Sequence, residues 1–552
     1  MTKKILFALT IIFSLVLSEN VSAQKKFWIK FKNKNGTPYS LGAASAFLSA
    51  KSIQRRIDQN IMLDNTDLPV TPSYVTQVDG VTNVMVLYRS KWLNGVVVSI
   101  GNSFTATALA TINSFTFVQS TSPVNRYKIS FPLAETEINP DNSSNKTAAF
   151  NYGMAAGQAT MVGADCLHNM GFRGQGMTIA VLDAGFKDVH LDNIYDSLFM
   201  QNRLLGTRDI VTGDTMVFED HTHGAQCLST MAGLDPGNII GTAPKAMYWL
   251  LRTEDVSSET ISEEYNWIRG AEFADSVGAD VLTTSLGYTE FDGGLNDHTY
   301  AQLDGKTAPM SIASTMAARK GMLVLNAAGN EGGGPWYYVG VPADADSIIS
   351  VGSVGSTGSY SGFSSHGPTS DGRIKPDLVA QGGPAYVCYS GCGFGNGTSF
   401  ATPVLAGAAT CLWQSRKAAT NMQIIQALKA TADSASAPNN RIGWGIPDMC
   451  AAKSYSTLIT VSVNEQSPID HNIRIYPNPF SGEVNIWIND LPSENIHVAI
   501  TNVLGQTLYD QTLTGPGGGV IHLNEVAEYK QGMYFVNLSG AGFNITKKIL
   551  KQ

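Results

Sequence analysis

Three separated segments of the chain carry side chains that can transfer protons or attack a carbonyl. Asp183 ends an apolar run, His223 precedes a glycine, and Ser399 follows a glycine-rich turn. A serine hydroxyl is a weak nucleophile at neutral pH, so an imidazole must accept its proton during attack. A carboxylate then fixes the ring and stabilises the imidazolium. These three residue types together predict nucleophilic catalysis at a carbonyl group.

Each of these residues also has an ordinary structural interpretation when it is taken alone. An aspartate after a strand is commonly a turn or cap residue, and a serine at the start of a helix is commonly its N-cap. His221 and His223 form a pair that could ligate a metal, but no HExxH pattern or nearby third ligand completes a zinc site. The glycine and the helical run after His223 favour it over His221 as the base.

Taken together, the motifs resemble those of the subtilisin-like serine proteases, the subtilase family. The order Asp…His…Ser is the one found in subtilisin. Four further segments also resemble sequence motifs of the family: Thr284–Gly287 (TSLG), Asn326–Gly332 (NAAGNEG), Gly362–Pro368 and Arg373–Asp377. The resemblance covers residues 150–456 and implies an α/β catalytic domain, a subtilisin-like parallel sheet with helices on both faces.

The resemblance also implies a role for each matching residue. Asp183, His223 and Ser399 would form the triad, and the Asn330 side chain with the Ser399 backbone N–H would stabilise the oxyanion. The segment Ser285, Leu286 and Gly287 would pair with the substrate backbone. The chemistry requires no cofactor. The family suggests calcium as a structural stabiliser, but no Asp-rich loop identifies its ligands, so metal-binding residues stay unknown.

Three residues near the motifs depart from the family pattern or add to it. Ala184 and Ala225 replace small polar residues, and neither position supplies a proton-transfer group. Cys227 lies four residues after His223, on the same helical face. If it is buried beside the imidazole, the enzyme should be sensitive to mercurials. The alternative interpretation is a core cysteine that matters only for packing.

The elements that must position these residues follow from hydrophobic periodicity. Strands such as Thr178–Leu182 alternate with helical patterns such as Ile261–Val277, which indicates a parallel sheet covered by helices. Residues 24–140 form a small α/β block, with a strand at Phe27–Phe31 and a helix at Ala43–Asp58. Short alternating strands after residue 471 predict a small all-β sandwich.

The two flanking blocks also resemble known domains. Residues 24–140 occupy the place of a subtilase propeptide and carry a net charge of +6, against −14 for residues 141–470. Complementary charge favours docking of one on the other, with the stretch 126–135 running through the substrate groove. Residues 471–552 contain YPNP, LGQ and GMYFV motifs in an order that resembles the C-terminal sorting domain read by type IX secretion systems.

The N-terminus and the composition complete the predicted organisation. Residues 1–23 have the basic start, apolar run and small-residue site of a signal peptide. We find no other long apolar run, so no stable membrane span is expected in the mature chain. The net charge of −8 argues against nucleic acid as a partner. Among six cysteines, Cys388 and Cys392 are close enough to pair locally, whereas Cys227 and Cys411 lie in apolar, helix-like stretches and are expected equally to be buried free thiols or to be paired.

The predicted function is therefore that of a secreted or surface serine endopeptidase, exported through the periplasm. Its expected partners are protein or peptide substrates, its own propeptide and the type IX secretion machinery. The alternative is a catalytically inactive subtilase scaffold that acts as a surface adhesin. All four reacting positions are present, which argues against a decayed enzyme.

Overall fold

A computed structural model describes most of the chain in two compact units, one up to Thr460 and the other from Val461. The described residues are 24–124, 150–257, 260–291, 297–455, 473–489, 495–503, 505–514, 518–540 and 543–552. The predicted signal peptide and the stretch 126–135 lie outside these residues. No helix in the described part of the chain is long and apolar enough to cross a membrane.

The first block of the N-terminal unit is a four-stranded antiparallel sheet with the order β2-β3-β1-β4. Its elements are β1 (Gln24–Phe31), α1 (Ala50–Asp58), α2 (Pro72–Asp79), β2 (Val84–Ser90), β3 (Gly95–Gly101), α3 (Thr105–Ser114) and β4 (Val118–Pro123). The helix predicted at Ala43–Asp58 is divided, because a 3-10 turn at Leu41–Ala46 ends before Ser49 caps a new helix. The Ser49 side chain accepts a hydrogen bond from the Ser52 N–H, as N-caps do.

The catalytic block is built on a seven-stranded parallel sheet with the order β13-β12-β11-β10-β5-β9-β6. Its sheet strands are β5 (Thr178–Asp183), β6 (Leu204–Asp209), β9 (Met247–Arg252), β10 (Val281–Thr284), β11 (Leu323–Ala327), β12 (Ile349–Val354) and β13 (Leu378–Gln381). Two short pairs lie outside it, β7 (Leu234–Asp235) with β8 (Ile239–Ile240) and β14 (Ala385–Cys388) with β15 (Cys392–Gly395). Every residue of β5 is buried, as expected for a strand covered on both faces. The predicted parallel sheet is confirmed.

Nine helices cover the described part of this sheet. They are α4 (Ala156–Met161), α5 (Ala164–Asn169), α6 (Asp196–Met200), α7 (His223–Ala232), α8 (Ser262–Val277), α9 (Pro309–Arg319), α10 (Thr398–Ser415), α11 (Asn421–Ala430) and α12 (Met449–Lys453). Residues Thr398 to Trp413 of α10 are all buried. The small residues of α10 allow neighbouring chain segments to approach the helix closely. For example, a Cβ built on Gly407 would lie only 2.1 Å from Thr242 Oγ1. This packing fixes the helix whose first turn carries Ser399.

Buried ion pairs join the N-terminal block to α8. Arg55, Arg56 and Lys91 contact the Asp275 carboxylate at 2.5, 2.9 and 3.0 Å. Burial alone would raise the pKa of Asp275, but these three cations lower it to about 2. Arg56 also contacts Asp67 at 2.7 Å. The basic residues of this block therefore meet an acidic group of the catalytic block, as its charge balance predicts.

The C-terminal unit is all-β, as predicted. One sheet has the order β16-β17-β20 and the other β19-β18-β21-β22. The strands are β16 (Ile473–Tyr476), β17 (Val484–Asn489), β18 (Asn495–Asn502), β19 (Thr507–Thr514), β20 (Gly518–Leu523), β21 (Gly532–Gly540) and β22 (Phe543–Lys551). Val484, Ile486 and Ile488 from one sheet and Val536 and Leu538 from the other share one core. Two sheets that bury alternate residues against each other form a sandwich.

Two disulfides occur among the described residues. Cys388 and Cys392 are bonded across the β14–β15 hairpin, a pairing that their spacing allows. A second bond joins Cys166 to Cys450, a pairing that spacing alone does not reveal. Cys227 and Cys411 are free and buried, which decides between the two alternatives that the sequence left open for them.

Candidate active site

Asp183 lies at the carboxyl end of β5, an inner strand of the sheet, where α/β sheets commonly place functional groups. Its Oδ1 accepts hydrogen bonds of 2.7 Å from both the Ala184 N–H and His223 Nδ1. Among the described residues, its buried Oδ2 has no partner. Because Ala184 has no hydroxyl, the only contribution of that residue to the carboxylate comes from its backbone.

His223 is the first residue of α7, and its ring is held by Asp183. A Cβ on Gly224 would lie 2.3 Å from the Gly185 carbonyl oxygen, so the residue after His223 must be glycine for this close approach. Burial alone would lower the pKa of His223, but the Asp183 charge, followed by Cys227, raises it well above 6.5.

The two neighbouring histidines make different contacts. The His221 Nδ1 accepts a hydrogen bond of 3.2 Å from the His223 backbone N–H. Their ring centroids are 6.4 Å apart. His221 therefore supports the start of α7, whereas His223 holds the position against the carboxylate of Asp183.

Ser399 is the second residue of α10 and is 9% exposed. Its Oγ donates to the Ser285 carbonyl oxygen at 3.3 Å. Cys227 connects it to the histidine, because the thiol donates to the Ser399 carbonyl oxygen at 3.3 Å and its Sγ lies 4.0 Å from His223 Nε2. The Cys227 thiol therefore contacts both the His223 ring and the Ser399 backbone.

The Asn330 amide and the start of α10 border the same space. Asn330 Oδ1 accepts from the Thr398 N–H at 2.9 Å and from Thr398 Oγ1 at 3.0 Å. Both of these bonds go to the amide oxygen, so Nδ2 is the donor group that they do not use. A Cβ built on Gly397 would lie 3.6 Å from Ser399 N and 3.8 Å from Asn330 Nδ2. Two donors that converge on one small space beside a helix N-terminus suit a developing oxyanion.

The segment Ser285 to Gly287 follows β10 and borders Ser399. Ser285 Oγ donates to the Ser399 carbonyl oxygen at 2.7 Å, and Asn326 Nδ2 donates to the Leu286 carbonyl oxygen at 3.2 Å. Gly287 is exposed. The segment is therefore anchored on its inner side and open on its outer side, the arrangement that an added peptide strand requires.

Sequence reasoning identified most of the residues gathered here but missed Thr398. A threonine directly before the serine is an ordinary residue for the start of a helix, so the sequence did not mark Thr398 as functional. Asp183, His223 and Cys227 are the one group in the described ranges with three metal-ligating atoms within 4.8 Å of one another. A site with imidazole and sulfur donors suits soft metals rather than calcium, which prefers oxygen ligands.

Three family models match successive parts of the chain. The Subtilase family matches residues 174–445, the Peptidase S8 propeptide domain of Bacteroidota matches 26–141, and the Secretion system C-terminal sorting domain matches 474–552. The last match indicates a protein that is secreted or held at the cell surface. The block at 26–141 is thus similar to a propeptide.

Known proteins resemble the central part of the chain. Subtilisin E of Bacillus subtilis (strain 168) is 31% identical over 280 residues, which are 50% of this chain and 65% of that protein, just under two thirds. Subtilisin of Bacillus pumilus is also 31% identical over 280 residues, and 90% of its length is covered. A solved protease of Pseudoalteromonas arctica is 21% identical, with a TM-score of 0.44, over 55% of this chain and 98% of that one.

Proposed function

This chain belongs to the subtilase family, and we propose that it is a serine endopeptidase with Asp183, His223 and Ser399 as its triad. The observation that carries the proposal is the convergence of three motifs from distant parts of the sequence. His223 is hydrogen-bonded to Asp183 at 2.7 Å, and the Cys227 thiol contacts both the His223 ring and the Ser399 carbonyl oxygen.

In the proposed acylation step, His223 Nε2 removes the hydroxyl proton as Ser399 Oγ attacks the scissile carbonyl. The Nδ1–H donates to Asp183, which fixes the tautomer and stabilises the imidazolium. The bond to the leaving amine then breaks, and His223 returns the proton to that amine. In deacylation, water attacks the acyl carbonyl while His223 accepts a proton from it. The bond to Ser399 Oγ then breaks, and His223 returns the proton to that oxygen.

Charge on the carbonyl oxygen is the main obstacle in each half-reaction. We assign its stabilisation to the Asn330 Nδ2 and to the Ser399 backbone N–H, supported by the positive end of α10. Thr398 positions the amide, because it donates twice to the Asn330 Oδ1 and leaves Nδ2 for the oxyanion. The Ser285–Gly287 segment holds the substrate backbone beside these groups.

The test is covalent labelling of the active protease, purified after expression of the full chain, with a fluorophosphonate probe. An activated serine reacts with this probe, whereas an ordinary serine does not. We expect one label per chain, located on Ser399, with loss of peptide hydrolysis. Ser399→Ala should abolish labelling and keep the fold. Full peptidase activity in that variant would disprove the assignment.

A further inference from the structure

A hairpin closed by a disulfide lies beside the proposed active site and contacts both of its halves. The strands β14 and β15 are joined by a turn at residues 389–391, and the Cys388–Cys392 bond closes this turn. Tyr389 is the first residue of the turn, and its N–H donates to the Gly391 carbonyl oxygen at 2.7 Å. Both links close small rings, so they restrict the backbone that carries the Tyr389 side chain.

The base of this hairpin packs against the segment that carries Ser399. The strand β15 ends at Gly395, shortly before Ser399. The Gly397 N–H donates to the Gly382 carbonyl oxygen at 2.8 Å, and a Cβ on Gly382 would lie 2.5 Å from the Gly397 carbonyl oxygen. Packing this close leaves little room for one segment to move without the other. The hairpin and the proposed nucleophile are therefore held together.

The tip of the hairpin contacts the other half of the site. The Tyr389 hydroxyl donates to Asp188 Oδ2 at 3.1 Å. Asp188 lies on the loop after β5, and this loop pairs with the segment that leads into His223. The Asp188 N–H donates to the Phe218 carbonyl oxygen at 3.1 Å, and the N–H of the preceding lysine donates to the His221 carbonyl oxygen at 3.3 Å. One side-chain hydrogen bond thus links the loops that lead to the proposed base and nucleophile.

The conformation of Asp188 favours a dedicated contact with Tyr389. Its φ of +57° lies in the left-handed region, which few residues other than glycine adopt. An aspartate directly before a helical turn commonly caps that turn with its carboxylate. Within the described residues, the carboxylate makes no such bond to the 3-10 turn Val189–Leu191 and accepts from Tyr389 instead. Burial, followed by the hydrogen bond and the charge of Asp188, raises the pKa of Tyr389, so the hydroxyl stays a donor at neutral pH.

We propose that the Tyr389–Asp188 hydrogen bond holds His223 and Ser399 at their working separation, and that the disulfide keeps Tyr389 in place for this contact. The inference rests on the proposed function. Tyr389 and Asp188 are positioning residues, because they act through the two loops and not on the substrate. Proton transfer from Ser399 Oγ to the imidazole requires close and aligned groups. Loss of the bond therefore slows the attack by Ser399 and leaves substrate binding unchanged.

The test measures how fast the purified protease reacts with a fluorophosphonate probe, together with kcat and KM for a peptide substrate. The probe reports on the serine and its base without an extended peptide in the groove. Tyr389→Phe removes only the hydroxyl group and should lower both the labelling rate and kcat by about tenfold, with an unchanged KM. The final extent of labelling should stay at one probe per chain. A reduced final extent would mean that Tyr389 serves only folding, and it would overturn the inference.

A double-mutant cycle tests whether the two side chains act together. Asp188→Ala should cause the same loss as Tyr389→Phe, and the double variant should lose no more than either single variant. Asp188→Asn should keep the wild-type rate, because its amide oxygen still accepts from Tyr389. Replacement of both Cys388 and Cys392 by alanine should reproduce the loss, and Tyr389→Phe should add nothing to it. Additive losses in either combination would overturn the inference.

The matched control is Tyr386→Phe in the same hairpin, because the Tyr386 hydroxyl donates to Asn238 Oδ1 at 3.0 Å instead. This variant should react with the probe at the wild-type rate. A wild-type rate in Tyr389→Phe, or an equal loss in Tyr386→Phe, would overturn the inference. Absence of labelling in the wild type would contradict the proposed function instead.

Discussion

The Sγ atom of Cys227 lies 3.9 Å from Nδ1 and 4.0 Å from Nε2 of His223, so a free thiol packs against the proposed catalytic base. Burial raises the pKa of this thiol, although the charge of His223 opposes the rise. The sequence placed both residues on one helical face, and the structure selects the interpretation in which they touch. A ligand bound to the sulfur would displace or capture the imidazole.

Mercuric ion should therefore inhibit the protease at about one equivalent per chain. Thiolate and imidazole are both soft enough to bind it, and capture of the ring removes the base from catalysis. Cys227→Ala should stay active at the same mercury concentration. Cys411→Ala is the matched control, because this second buried thiol contacts His168 instead, and that variant should stay sensitive. The measurement is hydrolysis rate against mercury concentration, and equal inhibition of both variants would contradict the prediction.

Loss of one oxyanion donor should reduce turnover while substrate binding is largely kept. Asn330→Ala should lower kcat by about 10²–10³, because the amide contributes mainly in the transition state. Thr398→Val removes one of two bonds that hold Asn330 Oδ1 and should cost about tenfold. If Thr398 acts only by positioning the amide, the loss of kcat in Thr398→Val must be smaller than the loss in Asn330→Ala. A larger loss in Thr398→Val than in Asn330→Ala would refute it.

Activity should depend on pH through His223. The base must be neutral to accept the serine proton, so kcat/KM rises as the pH rises through the pKa of His223. Since Asp183 and Cys227 raise that pKa, the midpoint of the acid limb should lie above 6.5. Asp183→Asn removes the charge, so the midpoint should move to lower pH while the rate falls by about 10⁴. An unchanged midpoint in this variant would show that a group other than His223 controls the acid limb of the pH profile of kcat/KM.

The sequence predicted the layers of the fold because their signals are local. Apolar runs such as Thr178–Leu182 and the helical period after Ile261 require only neighbouring residues. The motifs around Asp183, His223 and Ser399 are equally local. The division of the helix at Ala43–Asp58 was missed, because the choice of Ser49 as a cap depends on competition between two helical registers.

Features that depend on contacts between distant residues could not be predicted. The bond between Cys166 and Cys450 spans 284 residues, and six cysteines allow many pairings. The hydrogen bond from Tyr288 to Glu254 arises only after β9 and β10 are placed on either side of β5 in one sheet. The lack of a hydrogen-bond partner for Asp183 Oδ2 within the described residues likewise becomes visible only in the fold.

Removal of residues 474–552 should block export and leave the protease unit intact. The chain forms two compact units that divide near residue 460, and the β-sandwich has a hydrophobic core of its own. The unit that carries the triad therefore does not need the β-sandwich to complete its core. We expect the truncated protein in the periplasm, with normal fluorophosphonate labelling, and the full-length protein outside the cell. Fractionation followed by immunoblotting measures this. Truncated protein in the medium at the full-length level would show that the domain is dispensable for export.

Docking of the N-terminal block should depend on its buried arginines more than on total charge. Arg56 contacts Asp67 and Asp275, and both its side chain and theirs are almost fully buried. Removal of one partner leaves uncompensated buried charge, at a cost of about 3–5 kcal/mol. Residues 24–140 supplied in trans should therefore inhibit the processed protease, and Arg56→Met should weaken that inhibition by about 10²–10⁴.

The matched control is Lys51→Met, because the Lys51–Asp280 pair is partly exposed, with 37% of the lysine side chain accessible. Exposed pairs contribute at most about 1 kcal/mol, so this change should weaken inhibition by less than about fivefold.

Buried pairs are screened little, so 1 M salt should act mainly on exposed pairs and weaken wild-type inhibition only modestly. Inhibition constants at low and high salt measure both effects. An equal loss in Arg56→Met and Lys51→Met would mean that long-range charge holds the block in place, and no inhibition at micromolar concentration would mean that it is an accessory domain.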